Sequence, residues 1–289
     1  MSAQLLEGKV VAQAVLDDLK GRIERLKEKG VTPGLGTILV GSDPASAGYV
    51  RRKHETSHEV GIASFNKEIP EDATQDDLLK AVREFNADDR VHGYLIQHPV
   101  PEQFDFNEAL TQMDPAKDAD GLHPVNLGRL VLQEPGPIPC TPAGIREMFI
   151  HYDLPIKGRE VVIIGRGPTL GRPLALLLSL KAEGANAAVT VVHSGVANLA
   201  EYTQRADIVV AAVGRPSMVT PDMVKPGAIV VSGGITWEGK RLVPDVDESV
   251  GEVAGWITPR LGGVGPTTVA MLLRNTVEAA ERKAGLSEA

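Results

Sequence analysis

The sequence has few cysteines and few aromatic residues. Its 289 residues include one cysteine, Cys140, and 4% aromatic residues. One cysteine excludes an intrachain disulfide and any metal site made of several cysteines. With a formal net charge of −8, the chain lacks the basic face and the stacking rings that nucleic-acid binders use, so nucleic acid is not an expected partner. Small anionic ligands remain compatible with this charge, because local arginines and helix N-termini hold them.

Long apolar runs are also missing. The longest, from Pro173 to Leu180, lies between Arg172 and Lys181 and is far shorter than the ~20 residues that span a bilayer. The N-terminus has no basic segment followed by an apolar one, so we expect a cytoplasmic protein without a membrane partner. A mean hydropathy of −0.05 and 43% hydrophobic residues give the chain enough apolar surface to fold.

Helical and strand patterns alternate along the chain, which predicts an α/β protein with parallel sheets. Helices are expected over residues 8–29, 45–60, 74–86, 174–183 and 266–283, and strands over 36–40, 62–68, 91–97, 160–164, 189–192, 208–213 and 228–231. Residues 114–144 are rich in Pro, Gly and Asp, which is typical of an inter-domain connection or a binding loop. We therefore expect two domains, one of residues 1–141 plus 268–289, with the C-terminal helix packing back on it, and one of residues 142–267.

A glycine-rich turn joins a strand to a helix in the second domain. The strand at 160–164 leads directly into Gly165, Gly167 and Gly171, spaced G-x-G-x-x-x-G. A strand, a tight turn and a helix N-terminus together present backbone N–H groups to a pyrophosphate. This spacing is one residue longer than the usual dinucleotide fingerprint, and an ordinary glycine turn is the alternative interpretation.

The next strand of this domain ends without a carboxylate. NAD sites usually place Asp or Glu there, about 20 residues after the turn, to bind the ribose 2′-hydroxyl, whereas this strand ends in His193 and Ser194. Ser194 can donate to a 2′-phosphate and Arg166 can neutralise it, so the sequence favours NADP over NAD. The role of His193 stays open. Gly214 follows a further strand and is expected at the same edge of the sheet.

Tyr49 and Lys53 lie four residues apart in a predicted helix of the first domain and share a face. An exposed helical lysine is usually only a solvated charge, but nearby features favour a functional one. Gln97 ends another strand at a proline turn, and Asp118 and Asp120 lie in a loop rich in Asp, Gly and Pro. From the residues alone we predict a two-domain α/β nucleotide binder with a Lys/Gln/Asp cluster.

Seven motifs occur in a fixed order and together resemble the bifunctional methylenetetrahydrofolate dehydrogenase/cyclohydrolase family over nearly the whole chain. They are Tyr49-x-x-x-Lys53, Gln97-x-Pro99, Lys117-Asp118-x-Asp120-Gly121, Pro139-Cys140-Thr141-Pro142, Gly165-Arg166-x-x-x-x-Gly171-Arg172-Pro173, His193-Ser194 and Gly262-Gly263-Val264-Gly265-Pro266. The resemblance implies a folate-binding first domain, a Rossmann-type NADP domain and a homodimer. It also implies an enzyme of one-carbon metabolism and purine biosynthesis, which oxidises 5,10-methylenetetrahydrofolate to 5,10-methenyltetrahydrofolate with NADP⁺ and hydrolyses it to 10-formyltetrahydrofolate.

The same resemblance assigns roles to residues. Lys53 is the main catalytic group and acts as a proton acceptor or donor, with Gln97 orienting it. Tyr49 packs on the folate, and Asp120 accepts from the N–H groups of the pterin. The remaining substrate-binding positions are Gly262, Gly263 and Pro266. The cofactor-binding positions are Gly165, Arg166, Gly167, Gly171, Ser194, Thr141, Gly214 and Ile235.

The chain departs from the family pattern at four places. His98 replaces an apolar residue beside Gln97, Gly167 replaces a serine, Ser232-Gly233-Gly234 replaces Asp-Val-Gly, and Arg260-Leu261 replaces Val-Pro. The His98 ring is the departure with most consequence, because it could perturb Lys53 or reshape the pterin pocket. Two alternatives therefore stay open: an NADP-dependent dehydrogenase of another pterin-like or small carbonyl substrate, and a ligand-binding paralogue with impaired chemistry.

Two further features are interpreted as structural. His54 and His58 have a spacing that can bind metal, but no third ligand is evident, so no metal is expected. Cys140 has no assignable base and is interpreted as a packed thiol.

Overall fold

Buried strands and amphipathic helices alternate as the sequence predicts, and the computed structural model describes residues 2–239 and 241–286. In chain order the elements are β1 (Gln4–Leu5), α1 (Gly8–Glu28), β2 (Gly34–Val40), α2 (Pro44–Val60), β3 (Ala63–Ile69), α3 (Gln75–Ala87), β4 (Gly93–Ile96), α4 (Phe106–Gln112), α5 (Pro124–Leu132), α6 (Cys140–His151), β5 (Glu160–Ile164), α7 (Gly171–Ser179), β6 (Ala188–Val192), α8 (Ala200–Thr203), β7 (Ile208–Ala211), β8 (Ile229–Ser232), β9 (Ile235–Glu238), β10 (Arg241–Pro244), β11 (Trp256–Ile257) and α9 (Val264–Lys283). The chain divides into two units, unit 1 of Met1–Gln13 and Pro139–Thr268 and unit 2 of Ala14–Ile138 and Val269–Ala289. None of the described helices is long and apolar enough to cross a membrane.

Unit 2 contains a three-stranded parallel sheet in the order β3-β2-β4. All seven residues of the central strand β2 are buried, as expected for a parallel strand covered on both faces. The apolar stripe of α3, including Leu78, Val82 and Phe85, packs in one core cluster with residues of all three strands. A capping box starts helix α3, because Thr74 and Asp77 each accept a hydrogen bond from the other's backbone N–H.

The C-terminal helix packs within unit 2. The Arg22 guanidinium of α1 donates a 2.9 Å hydrogen bond to Glu281 of α9. The Asn275 side chain donates to the carbonyls of Ala119 at 2.9 Å and Ile138 at 3.0 Å. The prediction that this helix returns to the first domain is confirmed.

Unit 1 contains a six-stranded parallel sheet in the order β1-β11-β8-β7-β5-β6. Strand β5 lies between β6 and β7, so the strand order reverses beside it. In doubly wound sheets, ligands bind outside the carboxyl ends of the strands at this reversal. The predicted parallel Rossmann-type sheet is therefore confirmed, with its ligand-binding edge after β5, β6 and β7. Strands β9 and β10 form a separate antiparallel pair.

The first residues of the chain group with unit 1, whereas the sequence analysis places them in the first domain. Strand β1 pairs in parallel with β11, Gln4 opposite Trp256 and Leu5 opposite Ile257. Leu6 packs in the core cluster of unit 1. A strand of two residues has no periodicity, so the sequence pattern does not show this pairing.

The proline-rich stretch 114–144 is more regular than its composition indicates. Helix α5 begins at Pro124 and α6 at Cys140, so the stretch contains two helices that were not predicted, and the boundary between the two units, after Ile138, also lies within it. Pro124 and Pro142 lie in the first turns of the two helices, where the missing backbone N–H of proline removes no helical hydrogen bond.

Candidate active site

Lys53 and Gln97 are brought together in unit 2. The Lys53 Nζ atom donates a 3.0 Å hydrogen bond to Gln97 Oε1. Gln97 directly follows β4, its backbone N–H bonds to the Ile38 carbonyl of β2 at 2.8 Å, and its side chain is only 9% exposed. The predicted contact between the lysine and the glutamine is present.

The orientation of the Gln97 amide is fixed from its other side. Gln97 Nε2 donates a 2.8 Å hydrogen bond to the His98 carbonyl. Because the amide nitrogen can donate and not accept, this bond turns Oε1 toward Lys53. The glutamine therefore presents an acceptor of fixed position to the lysine.

The His98 ring packs edge-on against Phe106 of α4, with ring centroids 5.1 Å apart and an interplanar angle of 78°. The backbone carbonyl of His98 accepts the hydrogen bond from Gln97. The Lys53–Gln97 contact therefore forms with histidine at this position.

Local structure aims helix α2 from the end of β2. Gly41 adopts a φ of 79°, and Asp43 caps the helix by accepting a 2.7 Å hydrogen bond from the Ser46 N–H. Tyr49 lies one turn before Lys53 and is 37% exposed. The ring of Tyr49 is thus accessible on the same helical face as the lysine.

Asp118 braces the loop that carries Asp120. Its side chain is 2% exposed and accepts three hydrogen bonds, from the backbone N–H groups of Gly121 (2.9 Å) and His123 (2.8 Å) and from the Asn126 amide (2.9 Å). Asp120 lies between these contacts and is partly exposed. Of the two aspartates, Asp118 is the structural one.

The same loop runs alongside β4. Asp118 forms an isolated parallel bridge with Tyr94, and the Ala119 N–H donates to the Tyr94 carbonyl at 3.1 Å. Asp120 therefore follows a segment paired to the strand that ends in Gln97.

Lys117, in the same motif, has a structural role that the sequence analysis missed. Its Nζ donates to the carbonyls of Phe85 (2.9 Å), Asn86 (2.9 Å) and Asp88 (2.8 Å) at the end of α3. Burial is the main cause that lowers the pKa of Lys117, and the charge of Lys283 adds to it. A cation that bonds to the last carbonyls of a helix is a common C-terminal cap. The lysine of the Lys117-Asp118-x-Asp120-Gly121 motif was the sequence signal for this cap.

In unit 1, two of the three turn glycines are required by the backbone. Gly165 has a φ of 114°, and a Cβ atom there would lie 2.3 Å from the Ala212 carbonyl oxygen. A Cβ atom on Gly171 would lie 2.3 Å from the Gly165 carbonyl oxygen. Gly167 has open space around it, so the family's serine would fit. The turn lies at the sheet reversal, where a dinucleotide is expected.

Basic side chains line a groove next to this turn. The groove, of about 610 Å³, contains Arg166, Arg172 and His193, and none of its described lining residues is acidic. The Arg166 Nη1 atom lies 3.2 Å from His193 Nε2, and Ser194 next to it is exposed. Two arginines without an acidic neighbour in the groove suit the phosphate groups of a dinucleotide.

Asp245 organises the loop after β7, and the sequence analysis missed it. Its Oδ2 accepts from the backbone N–H groups of Val213 at 2.8 Å and Gly214 at 3.0 Å, and its side chain is fully buried. A Cβ atom on Gly234 would lie 2.0 Å from this oxygen, so glycine is required there. A carboxylate between two apolar residues, Pro244 and Val246, was the available signal.

The Ser232-Gly233-Gly234 departure is accommodated. The Ser232 hydroxyl donates to the Gly234 carbonyl at 3.1 Å and accepts from the Asp245 N–H at 3.0 Å. Ile235 begins β9 directly after Gly234, the glycine that lies against Asp245. Ile235 is 41% exposed. Thr141, another expected cofactor position, accepts a 3.2 Å hydrogen bond from Thr268.

The glycines before α9 pack against the start of α1. Gly262 has a φ of 80°, and its carbonyl accepts a 3.0 Å hydrogen bond from the Lys9 N–H. A Cβ atom on Gly8 would lie 1.9 Å from the Gly263 carbonyl oxygen. Pro266 lies in the first turn of α9, where proline is tolerated.

The remaining sequence features are structural. Within residues 2–239 and 241–286, no group of three or more His, Cys, Asp and Glu side chains could hold a metal ion. His54 bonds instead to Thr37 and Ser64. Cys140 is buried.

Comparison with known proteins decides the family. A model of the tetrahydrofolate dehydrogenase/cyclohydrolase catalytic domain matches residues 6–120, and a model of the NAD(P)-binding domain of the same family matches residues 139–284. The chain belongs to the tetrahydrofolate dehydrogenase/cyclohydrolase family. The family recognised from the motifs is thus confirmed.

Similar proteins support this membership over the full chain. The bifunctional protein FolD of Syntrophotalea carbinolica is 71% identical over 284 residues, which cover 98% of each chain. The crystal structure of a FolD dehydrogenase/cyclohydrolase from Campylobacter jejuni is 40% identical, with a TM-score of 0.93, and the match covers 98% of this chain and 100% of that one. The FolD of Trypanosoma brucei, solved with NADP and an inhibitor, is 36% identical, with a TM-score of 0.92 and coverage of 98% and 99%.

The tetrahydrofolate dehydrogenase/cyclohydrolase family joins two activities in one chain. This protein is accordingly an oxidoreductase and a hydrolase that acts on tetrahydrofolate derivatives. The contact between Lys53 and Gln97 argues against the alternative of a ligand-binding paralogue with impaired chemistry.

Proposed function

We propose that Lys53, held by Gln97, is the group that moves protons in this dehydrogenase/cyclohydrolase. The enzyme oxidises 5,10-methylenetetrahydrofolate to 5,10-methenyltetrahydrofolate with NADP⁺ and hydrolyses that cation to 10-formyltetrahydrofolate. The observation that carries the proposal is the 3.0 Å contact between Lys53 Nζ and an amide oxygen whose orientation is fixed by His98.

Hydrolysis of the methenyl cation requires three proton movements. Water that adds to the methenyl carbon loses one proton, the ring nitrogen gains one when its bond to that carbon breaks, and the remaining hydroxyl loses its proton as the formyl C=O forms. The Lys53 amine accepts the first proton from water and the resulting ammonium gives it to the nitrogen, while the hydroxyl proton goes to solvent, so one proton is released for each cation hydrolysed. Gln97 Oε1 accepts an N–H from either form of the lysine, so Lys53 stays in place through both steps.

Substrate contacts are proposed for residues near Lys53 and for the glycine loop. Tyr49 packs its exposed ring on the folate, and Asp120 accepts from the amino and N–H groups of the pterin. Gly262, Gly263 and Pro266 let the backbone approach the substrate, which a side chain would prevent.

The cofactor is NADP, and the residues of unit 1 fit it. When bound, NADP⁺ accepts the hydride from the one-carbon bridge of the substrate. Gly165, Gly167 and Gly171 form the turn that receives the pyrophosphate at the N-terminus of α7. Arg166 and Ser194 hold the 2′-phosphate, a role supported by the groove that carries two arginines and no acidic lining residue. The other proposed contacts are Thr141, Gly214 and Ile235.

We also propose a cytoplasmic homodimer. Strand β3 is the outer strand of its sheet, and among the described residues it pairs with β2 alone. An unpaired strand edge of seven residues is a site where a second copy can add its own β3 with two-fold symmetry. Light scattering should give about twice the 30.7 kDa chain mass, and a monomer at micromolar concentration would reject the dimer.

One assay tests the proposed substrate and cofactor together. With methylenetetrahydrofolate, the absorbance of the methenyl product should grow with NADP⁺, and kcat/KM should be higher than with NAD⁺. Arg166→Gln should lower kcat/KM for NADP⁺ by about tenfold or more, which is roughly 1.4 kcal/mol, and change the value for NAD⁺ much less. No growth with either nicotinamide would reject the substrate, and a preference for NAD⁺ would reject the role of Ser194 and Arg166.

A further inference from the structure

Helix α2 is attached to its sheet by the residue next to the proposed catalytic lysine. His54 Nε2 lies 2.9 Å from Thr37 Oγ1 of β2, and His54 Nδ1 bonds to Ser64 Oγ of β3. Lys53 bonds to Gln97 at the end of β4. Two consecutive residues of α2 therefore bond to β2, to β3 and to Gln97, the residue that follows β4.

The hydrogen bonds around His54 run in one direction. Thr37 donates its hydroxyl hydrogen to Asn66 Oδ1 at 2.9 Å, and the Asn66 amide donates to Glu68 Oε1 at 2.9 Å. Since Thr37 has a single hydroxyl hydrogen, its oxygen must accept from His54 Nε2–H. His54 Nδ1 then accepts from the Ser64 hydroxyl. A neutral imidazole with its proton on Nε2 satisfies every member of this chain, which we call the His54 chain.

The surroundings of His54 favour that neutral form. Burial is the main cause that lowers the pKa of His54, and the charges of His58 and Lys53 lower it further, while the nearby Asn66 side chain opposes the shift. A proton added to Nδ1 would face the hydroxyl hydrogen of Ser64 and would put a positive charge next to Lys53. Thr37 is fully buried in an otherwise apolar strand, so its hydroxyl needs the partners that His54 and Asn66 provide.

Resting on the role proposed above for Lys53, we propose that His54 is a positioning residue for the cyclohydrolase step. Through Thr37 and Ser64 it fixes the rotation of α2 about its axis, and this rotation keeps Lys53 Nζ on Gln97 Oε1. Without the His54 chain, helix α2 can turn on the sheet and Lys53 leaves its acceptor in part of the molecules. The cost appears mainly in kcat for hydrolysis, because a displaced lysine moves protons less effectively, while the folate contacts proposed outside α2, at Asp120 and the glycine loop, remain.

The acid side of the pH profile follows from the same geometry. His54 has a lowered pKa, so it is neutral at neutral pH and becomes charged only on further acidification. Once His54 is charged, its Nδ1–H must donate to the Ser64 hydroxyl instead of accepting from it. The positive charge of His54 also repels Lys53 and His58 on the same helix. Part of the loss of hydrolysis on the acid side should therefore belong to His54.

Three single variants, one double variant and one control test the proposal on the purified full-length enzyme, with methenyltetrahydrofolate as substrate. His54→Leu and Thr37→Val each remove the bond between helix and strand, and each should lower kcat about five- to tenfold with KM within about twofold. The double variant should be no worse than the poorer single variant, because both remove one interaction. His54→Gln keeps a donor for Thr37 and an acceptor for Ser64 without a titratable ring. It should restore kcat to within about twofold of the wild type and lose the acid-side inflection assigned to His54.

The control is His58→Gln. It makes the same chemical change one turn further along α2 at an exposed position. At neutral pH kcat should stay that of the wild type, and the acid-side inflection should remain but move to higher pH, because the charge of His58 no longer lowers the pKa of His54. Additive losses in the double variant, or a His54→Gln enzyme as slow as His54→Leu, would overturn the positioning role, and a His54→Gln pH profile identical to the wild type would overturn the assignment of the acid-side loss to His54. If His54→Leu fails to fold, Thr37→Val and His54→Gln carry the test. Failure of Lys53 itself is separate, since a Lys53→Met enzyme that still hydrolyses would reject the proposed function and not the role of His54 in holding the helix.

Discussion

Two aspartates in one loop should respond in opposite ways to the same substitution. Asp118 is buried and accepts three hydrogen bonds, two of them from backbone N–H groups. Asp118→Asn keeps the size of the side chain but replaces one accepting oxygen with a donating NH₂ group, which then faces a donor. Hydrogen bonds to a charged group contribute roughly 1.5–3 kcal/mol each, and a buried donor left unpaired costs a similar amount. Loss of one bond therefore destabilises unit 2 by about 2–4 kcal/mol.

This free energy corresponds to a measurable shift in melting temperature. For domains of this size, each kcal/mol lowers Tm by about 2–4 °C, so we expect the transition of unit 2 to fall by roughly 5–15 °C. Differential scanning calorimetry measures it, and steady-state assays below the transition should show a KM for folate within about twofold of the wild type.

Asp120→Asn is the matched control for this experiment. It makes the same change two residues further along the chain, at a partly exposed position. We expect Tm within about 2 °C of the wild type and a KM for folate raised about tenfold or more, because the amide offers a donor to the donors of the pterin. An Asp118→Asn enzyme with unchanged Tm and an impaired folate KM would refute the separation of a bracing and a binding aspartate.

Four further substitutions test individual contacts. His98→Leu should leave kcat and KM within about twofold, because only the backbone carbonyl of His98 holds Gln97; a larger change in folate KM would put the ring in the pocket. Gly167→Ser should preserve NADP⁺ binding, because the space around Gly167 is open. Gly165→Ala should abolish NADP⁺ binding, because φ is 114° at Gly165 and the new Cβ would meet a carbonyl oxygen. Equal NADP⁺ affinities of the two variants in a titration would contradict this. The Arg90 hydrogen bond is the main cause that lowers the pKa of Asp88 to about 2. Because the pKa of Asp88 is lower in the folded protein, the ionised carboxylate stabilises the fold at pH values above the unfolded pKa of 3.8. This stabilisation is lost as the pH falls toward about 2. In urea unfolding, the Asp88→Asn protein should therefore have a lower free energy of unfolding than the wild type at neutral pH, and this difference should shrink in acid. A difference that is independent of pH would exclude the ion pair.

The sequence predicts the parallel sheets because their strands are buried on both faces and form continuous apolar runs. Strands β2 and β5 stand where the pattern places them, whereas helix α7, Gly171–Ser179, begins three residues before the expected range of 174–183 and ends four residues before its end. Composition was misleading over 114–144, because Pro124 marks the start of a helix as well as it marks a loop. The two-residue strand β1 carries no pattern of its own and forms only through β11.

The contact between Lys53 and Gln97 could be expected from the family resemblance, and the structure places Lys53 within α2 and Gln97 directly after β4. The supporting groups could not be expected in this way. The roles of Lys117, Asp245 and the His54 chain depend on which backbone groups and side chains lie across from them in space. Asp245, for example, meets Gly214 and Gly234 only after three separate segments have folded. Sequence spacing contains no information on such long-range pairs without an alignment of relatives.

The central claim is that the Lys53 amine, held on Gln97, moves the protons of hydrolysis. Its most direct test is the decay of supplied methenyltetrahydrofolate by the Lys53→Met enzyme, with Tm and NADP⁺ affinity measured on the same sample. We expect hydrolysis to fall to the uncatalysed rate while Tm and NADP⁺ affinity stay those of the wild type. Hydrolysis at the wild-type rate by that folded, NADP⁺-binding variant would contradict the claim.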